Sequence, residues 1–126
     1  MIRFDIDKIK LIHQLVAQET GGGIGVRDEG LLDSAIESIY QTFGEVELYP
    51  TKEEKGARLG FSLISNHAFL DGNKRVGMLV MLAFLELNGV KLNCTDKEIY
   101  DTGIGLASGK VDYDELLEFV INHKLA

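Results

Sequence analysis

HAFLDGNKRVG, residues His67 to Gly77, is the stretch on which the reading of this chain turns. It holds one histidine, one aspartate, one asparagine, a Lys-Arg pair and two glycines. Apolar sequence with helical spacing flanks it on both sides. Before it, Ala57, Phe61 and Ile64 share one helix face, with Leu63 beside them. After it, Val76 to Leu87 is apolar nearly all round, the pattern of a helix that sits in the middle of a bundle. Polar chemistry is thus placed on the joint between two helices, one of them central.

Working outward, the same spacing continues almost throughout. Upstream, Thr51 and Glu54 fit a capping box and open the helix that ends at His67. Earlier still, Ile6, Ile9, Ile12 and Val16, widened by Leu11 and Leu15, mark a helix that stops at Gly21-Gly22-Gly23. Leu31, Leu32, Ala35, Ile36, Ile39 and Tyr40 recur every turn behind a start at Asp28. Between Thr42 and Pro50 the period breaks, and TFGEVELYP fits a short extended flap or a plain surface loop equally well. Downstream, Asn88-Gly89 has C-cap chemistry. Thr95 with Glu98, and Asp112 with Glu115, make two more capping boxes, opening helices through Ala107 and to about His123. The expected fold is all-α, about six helices around a buried central helix, with a short flap or hairpin.

The chain has 126 residues, one proline, no internal repeat and no low-complexity tract, so a single domain over 1–126 is expected. Hydrophobic residues make up 45% and charged residues 26%, an ordinary globular balance. A net charge of −7, from 20 acidic and 13 basic residues, argues against a general nucleic-acid binder. It leaves room for a nucleotide site, because local charge can oppose the net sign. Cys94 is the only cysteine. It has no disulfide partner and no second soft ligand for zinc, and reads as a small semi-buried apolar side chain. MIRFDIDKIK lacks the apolar core of a signal peptide. The longest apolar run, Val76 to Leu85, is about half of the ~20 residues a membrane span needs. A soluble cytoplasmic protein with no membrane partner is expected.

The polar stretch has the chemistry of an anion site. Lys74 and Arg75 fall in the first turn of the central helix, whose free N–H groups and dipole favour negative charge. Gly72 removes the side chain that would block a close approach. Together these suit a phosphate chain. Asp71, the one acid there, suits Mg²⁺, which takes one or two carboxylates plus phosphate oxygens and waters. His67 is the one imidazole there, a group that can take a proton from an attacking hydroxyl. Phe69 reads as an apolar peg holding the turn down. Taken singly, each residue also has an ordinary explanation: a turn at Asp71-Gly72-Asn73 with Asn73 as a cap, solvated cations, a histidine on a helix end. His13 falls on the apolar stripe and reads as structural; His123 reads as a surface residue.

HAFLDGNKR resembles the signature of the Fic/Doc (Fido) superfamily, His-x-Phe-x-Asp/Glu/Asn-Gly/Ala-Asn-Gly/Lys-Arg, at His67, Phe69, Asp71, Gly72, Asn73, Lys74 and Arg75. GLLDSAIES, TFGEVELYPTKEEKGARLGFSLISNHAF and FLELNGVKL resemble its Doc (death-on-curing) branch over most of the chain. Adenylyl-transferring Fic enzymes typically read Gly-Asn-Gly-Arg with a second arginine three residues on; here those positions are Lys74 and Met78. Both departures point to the Doc branch, in which the nucleotide is inverted.

The resemblance implies a toxin of a toxin–antitoxin system. It would be an ATP- and Mg²⁺-dependent kinase that transfers the γ-phosphate to a threonine of elongation factor Tu and arrests translation, held in check by a Phd-like antitoxin. It further implies His67 as general base, Asp71 on Mg²⁺, and Gly72, Asn73, Lys74 and Arg75 on phosphates. Phe69 would be an anchor, and Val46, Glu47, Leu48 and Tyr49 the flap that pairs with the target's backbone. Phage-type Doc proteins carry an arginine two residues before the motif histidine, where this chain has Ser65. The inhibitory motif Ser/Thr-x-x-x-Glu-Gly/Asn of self-regulated Fic proteins has no match. The alternatives are a Fic-type adenylyl (AMP) transferase on a protein hydroxyl, and a catalytically weak protein-binding module.

Overall fold

The computed structural model describes residues 3–20, 25–67, 69 and 72–125. In chain order it gives α1 (Ile6–Thr20), α2 (Glu29–Ser38), β1 (Thr42–Phe43), β2 (Val46–Glu47), α3 (Lys52–Asn66), α4 (Asn73–Leu87), α5 (Asp96–Ala107) and α6 (Tyr113–His123). The architecture is the expected one, helical with a small hairpin. Local chemistry sets the helix starts. Thr51 with Glu54, Thr95 with Glu98 and Asp112 with Glu115 all form complete capping boxes. Asp28 caps α2 by accepting the Gly30 N–H at 2.8 Å. Gly21-Gly22-Gly23, the expected stop of α1, lies outside the described residues.

Helix α4 is the centre. Val76, Met78, Val80, Met81, Phe84 and Leu85 are fully buried on it, and Leu79, Leu82 and Ala83 are half-buried. Its tightest neighbour is α3. A Cβ built on Gly77 would lie 2.4 Å from Ile64 Cγ1 and 3.2 Å from the Gly60 carbonyl oxygen. One built on Gly60 would meet Met81 Cβ at 3.1 Å and the Gly77 carbonyl at 3.3 Å. The two backbones therefore touch where neither has a side chain, and this seam brings the end of α3 close to the start of α4.

The hairpin pairs Thr42 with Glu47 and Phe43 with Val46, antiparallel, and all four residues are exposed. A ladder this short is marginal by itself. Lys55 of α3 supports it from beneath. The side chain is 3% exposed, and its Nζ donates to Glu47 Oε1 at 3.0 Å and to the Tyr49 carbonyl oxygen, below the Tyr40 ring. The Tyr49 ring meets Tyr113 edge-on at 5.4 Å. Burial, and then the nearby Glu54, pushes the Tyr113 hydroxyl's pKa above its ordinary value.

The C-terminal end is fastened by an isolated bridge between Leu92 and Lys124, and by Asn93 N–H donating to the His123 carbonyl at 2.8 Å. Here the structure corrects the expectation that His123 is a plain surface residue: its side chain is 23% exposed. Its ring stacks on Phe119, Nδ1 faces the Phe119 carbonyl at 2.7 Å and Nε2 faces Glu98 Oε2 at 2.7 Å. Both partners are acceptors, so the doubly protonated ring satisfies both. That raises the imidazole pKa, chiefly through Glu98. The Glu98 pKa is lowered, first by the Thr95 backbone N–H and then by His123. Cys94, half-buried nearby, has its thiol pKa raised by burial and then by Glu98 and Asp96.

Two outcomes follow. Gly77→Ala should destabilise the protein by about 1–3 kcal/mol from overpacking, despite a helix-propensity gain of about 1 kcal/mol, in urea unfolding. The His123–Glu98 contact should leave a pH signature. The raised histidine contributes fully below its unfolded value of about 6.5, and that contribution is lost as pH rises through the folded value. The depressed Glu98 contributes above its unfolded value and is lost as pH falls through its folded one. Between about pH 6 and about pH 8, wild type should lose stability relative to His123→Gln.

Candidate active site

The site is assembled from the last turn of α3 and the first turn of α4. Helix α3 ends at His67, whose backbone is left-handed, φ 53° and ψ 51°, with the side chain exposed. Arg27 reaches across from the segment before α2. Its Nε donates to the His67 carbonyl at 2.7 Å and its Nη2 to the Asn66 carbonyl at 2.9 Å. These are helix-terminal carbonyls without an intrahelical donor, and a cation is favourable at that end. Asn66 in turn donates to the Leu31 carbonyl of α2 at 2.9 Å.

Phe69 is 2% exposed and stacks face to face on His13, centroids 4.0 Å apart and planes 6° apart. His13 is itself buried at 2%, in line with its reading as structural. Phe69's backbone is held twice more. It forms an isolated antiparallel bridge with Val26. The Asn73 amide also closes on it, Oδ1 accepting from Phe69 N at 3.0 Å and Nδ2 donating to Phe69 O at 2.9 Å. The asparagine therefore braces the turn with the side chain that the sequence reading assigned to phosphate.

Gly72 is the N-cap of α4, at φ 80°. A Cβ there would find only ordinary contacts, at 3.9 Å from Val16 and Val76, so backbone conformation rather than crowding calls for glycine. Among the described residues no side chain caps α4. Its first turn therefore presents backbone donors and the positive dipole end, as an anion site requires. Lys74 and Arg75 are exposed on this turn. Arg75 Nη2 is 3.2 Å from Glu19 Oε2 on α1, and both side chains are more than half exposed. Such a pair is worth little in water and can be exchanged for another anion. Lys74 has no carboxylate partner among the described residues.

His67, Gly72, Asn73, Lys74 and Arg75 are thus gathered at one junction. Asp71, the residue expected to hold Mg²⁺, lies outside the described residues. Val46 and Glu47 form β2, and Leu48 and Tyr49 lead from it toward α3. No hydrogen bond or ion pair among the described residues joins these four to His67, Lys74 or Arg75. Ser65 is exposed on the last turn of α3, and Met78 is buried against α5 beside Gly103. Sequence reasoning missed Arg27 and Glu19, which lie far from the motif in the chain, and Asn66, which directly precedes it and whose partner Leu31 is distant.

Residues 3–85 match the sequence model of the Fic/DOC family. The chain belongs to the Fic/DOC family. The matched span runs from α1 to near the end of α4 and contains the whole junction. The helical bundle with its hairpin is the all-α Fido fold with a flap. The chain is also 46% identical over 72 residues to a protein named Toxin Doc from Mycolicibacterium smegmatis. That alignment covers 57% of this Fic/DOC chain and 55% of the relative, so the chain spans about half the length of the relative it matches.

Asn73→Ala removes both bonds to Phe69. It should cost about 1–3 kcal/mol in urea unfolding and speed amide exchange at Phe69. Unchanged exchange there would mean that the bridge to Val26 holds the turn alone.

Proposed function

We propose that this chain is the toxin of a toxin–antitoxin pair: an ATP- and Mg²⁺-dependent phosphotransferase that moves the γ-phosphate of ATP to a threonine hydroxyl of a translation factor such as elongation factor Tu, arresting translation in the cytoplasm. One observation carries the reading. An exposed imidazole, His67, stands beside the N-terminus of α4, which bears Lys74 and, among the described residues, has no side-chain cap and no carboxylate on that lysine. Family membership and the likeness to Toxin Doc support the toxin part.

The donors fit a triphosphate. Gly72 leaves the approach open, the α4 N–H groups and Lys74 take phosphate oxygens, and Arg75 exchanges Glu19 for phosphate. Among the motif residues Asp71 is the one carboxylate, and Mg²⁺ held there would neutralise charge on the phosphate oxygens. His67 accepts the threonine hydroxyl proton as that oxygen bonds to the γ-phosphorus. The bond to the bridging oxygen breaks and ADP leaves. The flap, Val46 to Tyr49, exposed over Val46 to Leu48, adds its edge to the backbone of the acceptor. A Phd-like antitoxin is the expected partner. Leu11 and Leu15, more than half exposed on α1, give it an apolar face to cover.

The burial of Met78 favours phosphoryl over adenylyl transfer, because the position that carries the second arginine in adenylyl transferases is turned into the core here. The uncharged Ser65 favours a second reading, a protein-binding module of weak activity.

The test is label transfer to elongation factor Tu from ATP labelled on the α- or the γ-phosphate, with His67→Ala alongside. The expected result is γ label only, with the rate reduced roughly 10²–10⁴-fold in the variant. Label from α would replace the reading with adenylyl transfer. No label from either, with ATP bound, would leave the binding module.

A further inference from the structure

We infer that Arg27 is a positioning residue for His67: its guanidinium fixes the backbone of the last turn of α3 in the left-handed conformation from which the imidazole is presented. The inference rests on the reading of His67 as general base. Among the described residues, His67 alone has a positive φ without being glycine. That conformation is unfavourable for a residue with a side chain, and it persists where the surroundings over-determine it.

The surroundings here converge on Arg27. Its planar fork spans two successive carbonyls, of Asn66 at 2.9 Å and His67 at 2.7 Å, so it fixes the relative orientation of the two peptide planes that meet at the His67 Cα. Those are its only hydrogen bonds among the described residues, and no carboxylate there pairs with it. The guanidinium is therefore committed to the backbone that carries the base. Arg27 is itself held on both sides. Val26 before it bridges to Phe69, and Asp28 after it caps α2. Asn66 adds a third tie, from the same turn of α3 to the Leu31 carbonyl of α2. His67 thus stands between the Arg27 fork on its own carbonyl and the buried Phe69 two residues on. A neutral or shorter side chain at position 27 loses the fork while leaving the Phe69 anchor in place.

The test uses the full chain with Arg27→Ala and Arg27→Lys. In ¹³C-labelled protein, the carbonyl resonances of Asn66 and His67 should move upfield in Arg27→Ala, with those of the α5–α6 region unchanged. In label transfer, kcat should fall about 100-fold, the scale of a misplaced catalytic group, with KM for ATP unchanged. Millimolar guanidinium should restore part of the loss, and Arg27→Lys should fall between. If Arg27→Ala fails to fold, Arg27→Lys carries both measurements. Carbonyl resonances that stay put would overturn the clamp, and a full kcat with shifted resonances would overturn its role in positioning. A wild-type chain inert toward every acceptor would remove the transfer reading, and the carbonyl resonances would then decide on the clamp by themselves.

Discussion

The structure depends on a place where two helices have no side chains between them. At Gly60 and Gly77 the backbones of α3 and α4 come into direct contact, with Ile64 and Met81 closing over them. A methyl group on Gly77 would collide with Ile64, and one on Gly60 would press on Met81 and the Gly77 carbonyl. That approach sets one helix's C-terminal end beside another's N-terminal end, so carbonyls and N–H groups of opposite polarity lie on one short span of chain. The two ends are treated differently. The carbonyl end is satisfied by Arg27, while among the described residues the N–H end has no side-chain cap. The result is a positive terminus beside a negative one that is already engaged.

Within the motif, the residues divide by task. Phe69 fills the core, Asn73 ties Phe69's backbone to α4, and Gly72 supplies the turn. His67, Lys74 and Arg75 are left at the surface around that frame. The polar density that marks the stretch therefore has two origins. Some polar groups are spent on fixing a sharp turn over a buried aromatic, and the remainder are displayed by it.

How much of this was legible follows from the range of each interaction. Capping boxes act over three residues, and helical periodicity over four, so Thr51, Thr95, Asp112 and the apolar run of α4 marked their helices in the sequence. The site was legible because its residues are contiguous. Arg27 is 40 residues from the carbonyl it holds, and nothing in its neighbours, a glycine run and a helix cap, hints at a distant partner. Lys55 sits in a charged run that looks solvated, and its burial comes from the flap folding over it. His123 misled for the same reason: its environment is made by Glu98 on another helix. The bridge from Val26 to Phe69 is a single pair and has no periodicity to detect.

The flap carries a different kind of consequence. Apart from Glu47 its strand side chains face solvent, and its attachment runs through main chain, Glu47, Tyr49 and one buried lysine. Phe43 and Val46 can therefore be exchanged without disturbing the packing of α3 on α4. The surface of the flap and the polar cluster at the helix junction are written in separable parts of the chain. Over evolutionary time, what such a flap presents can drift while the junction stays fixed.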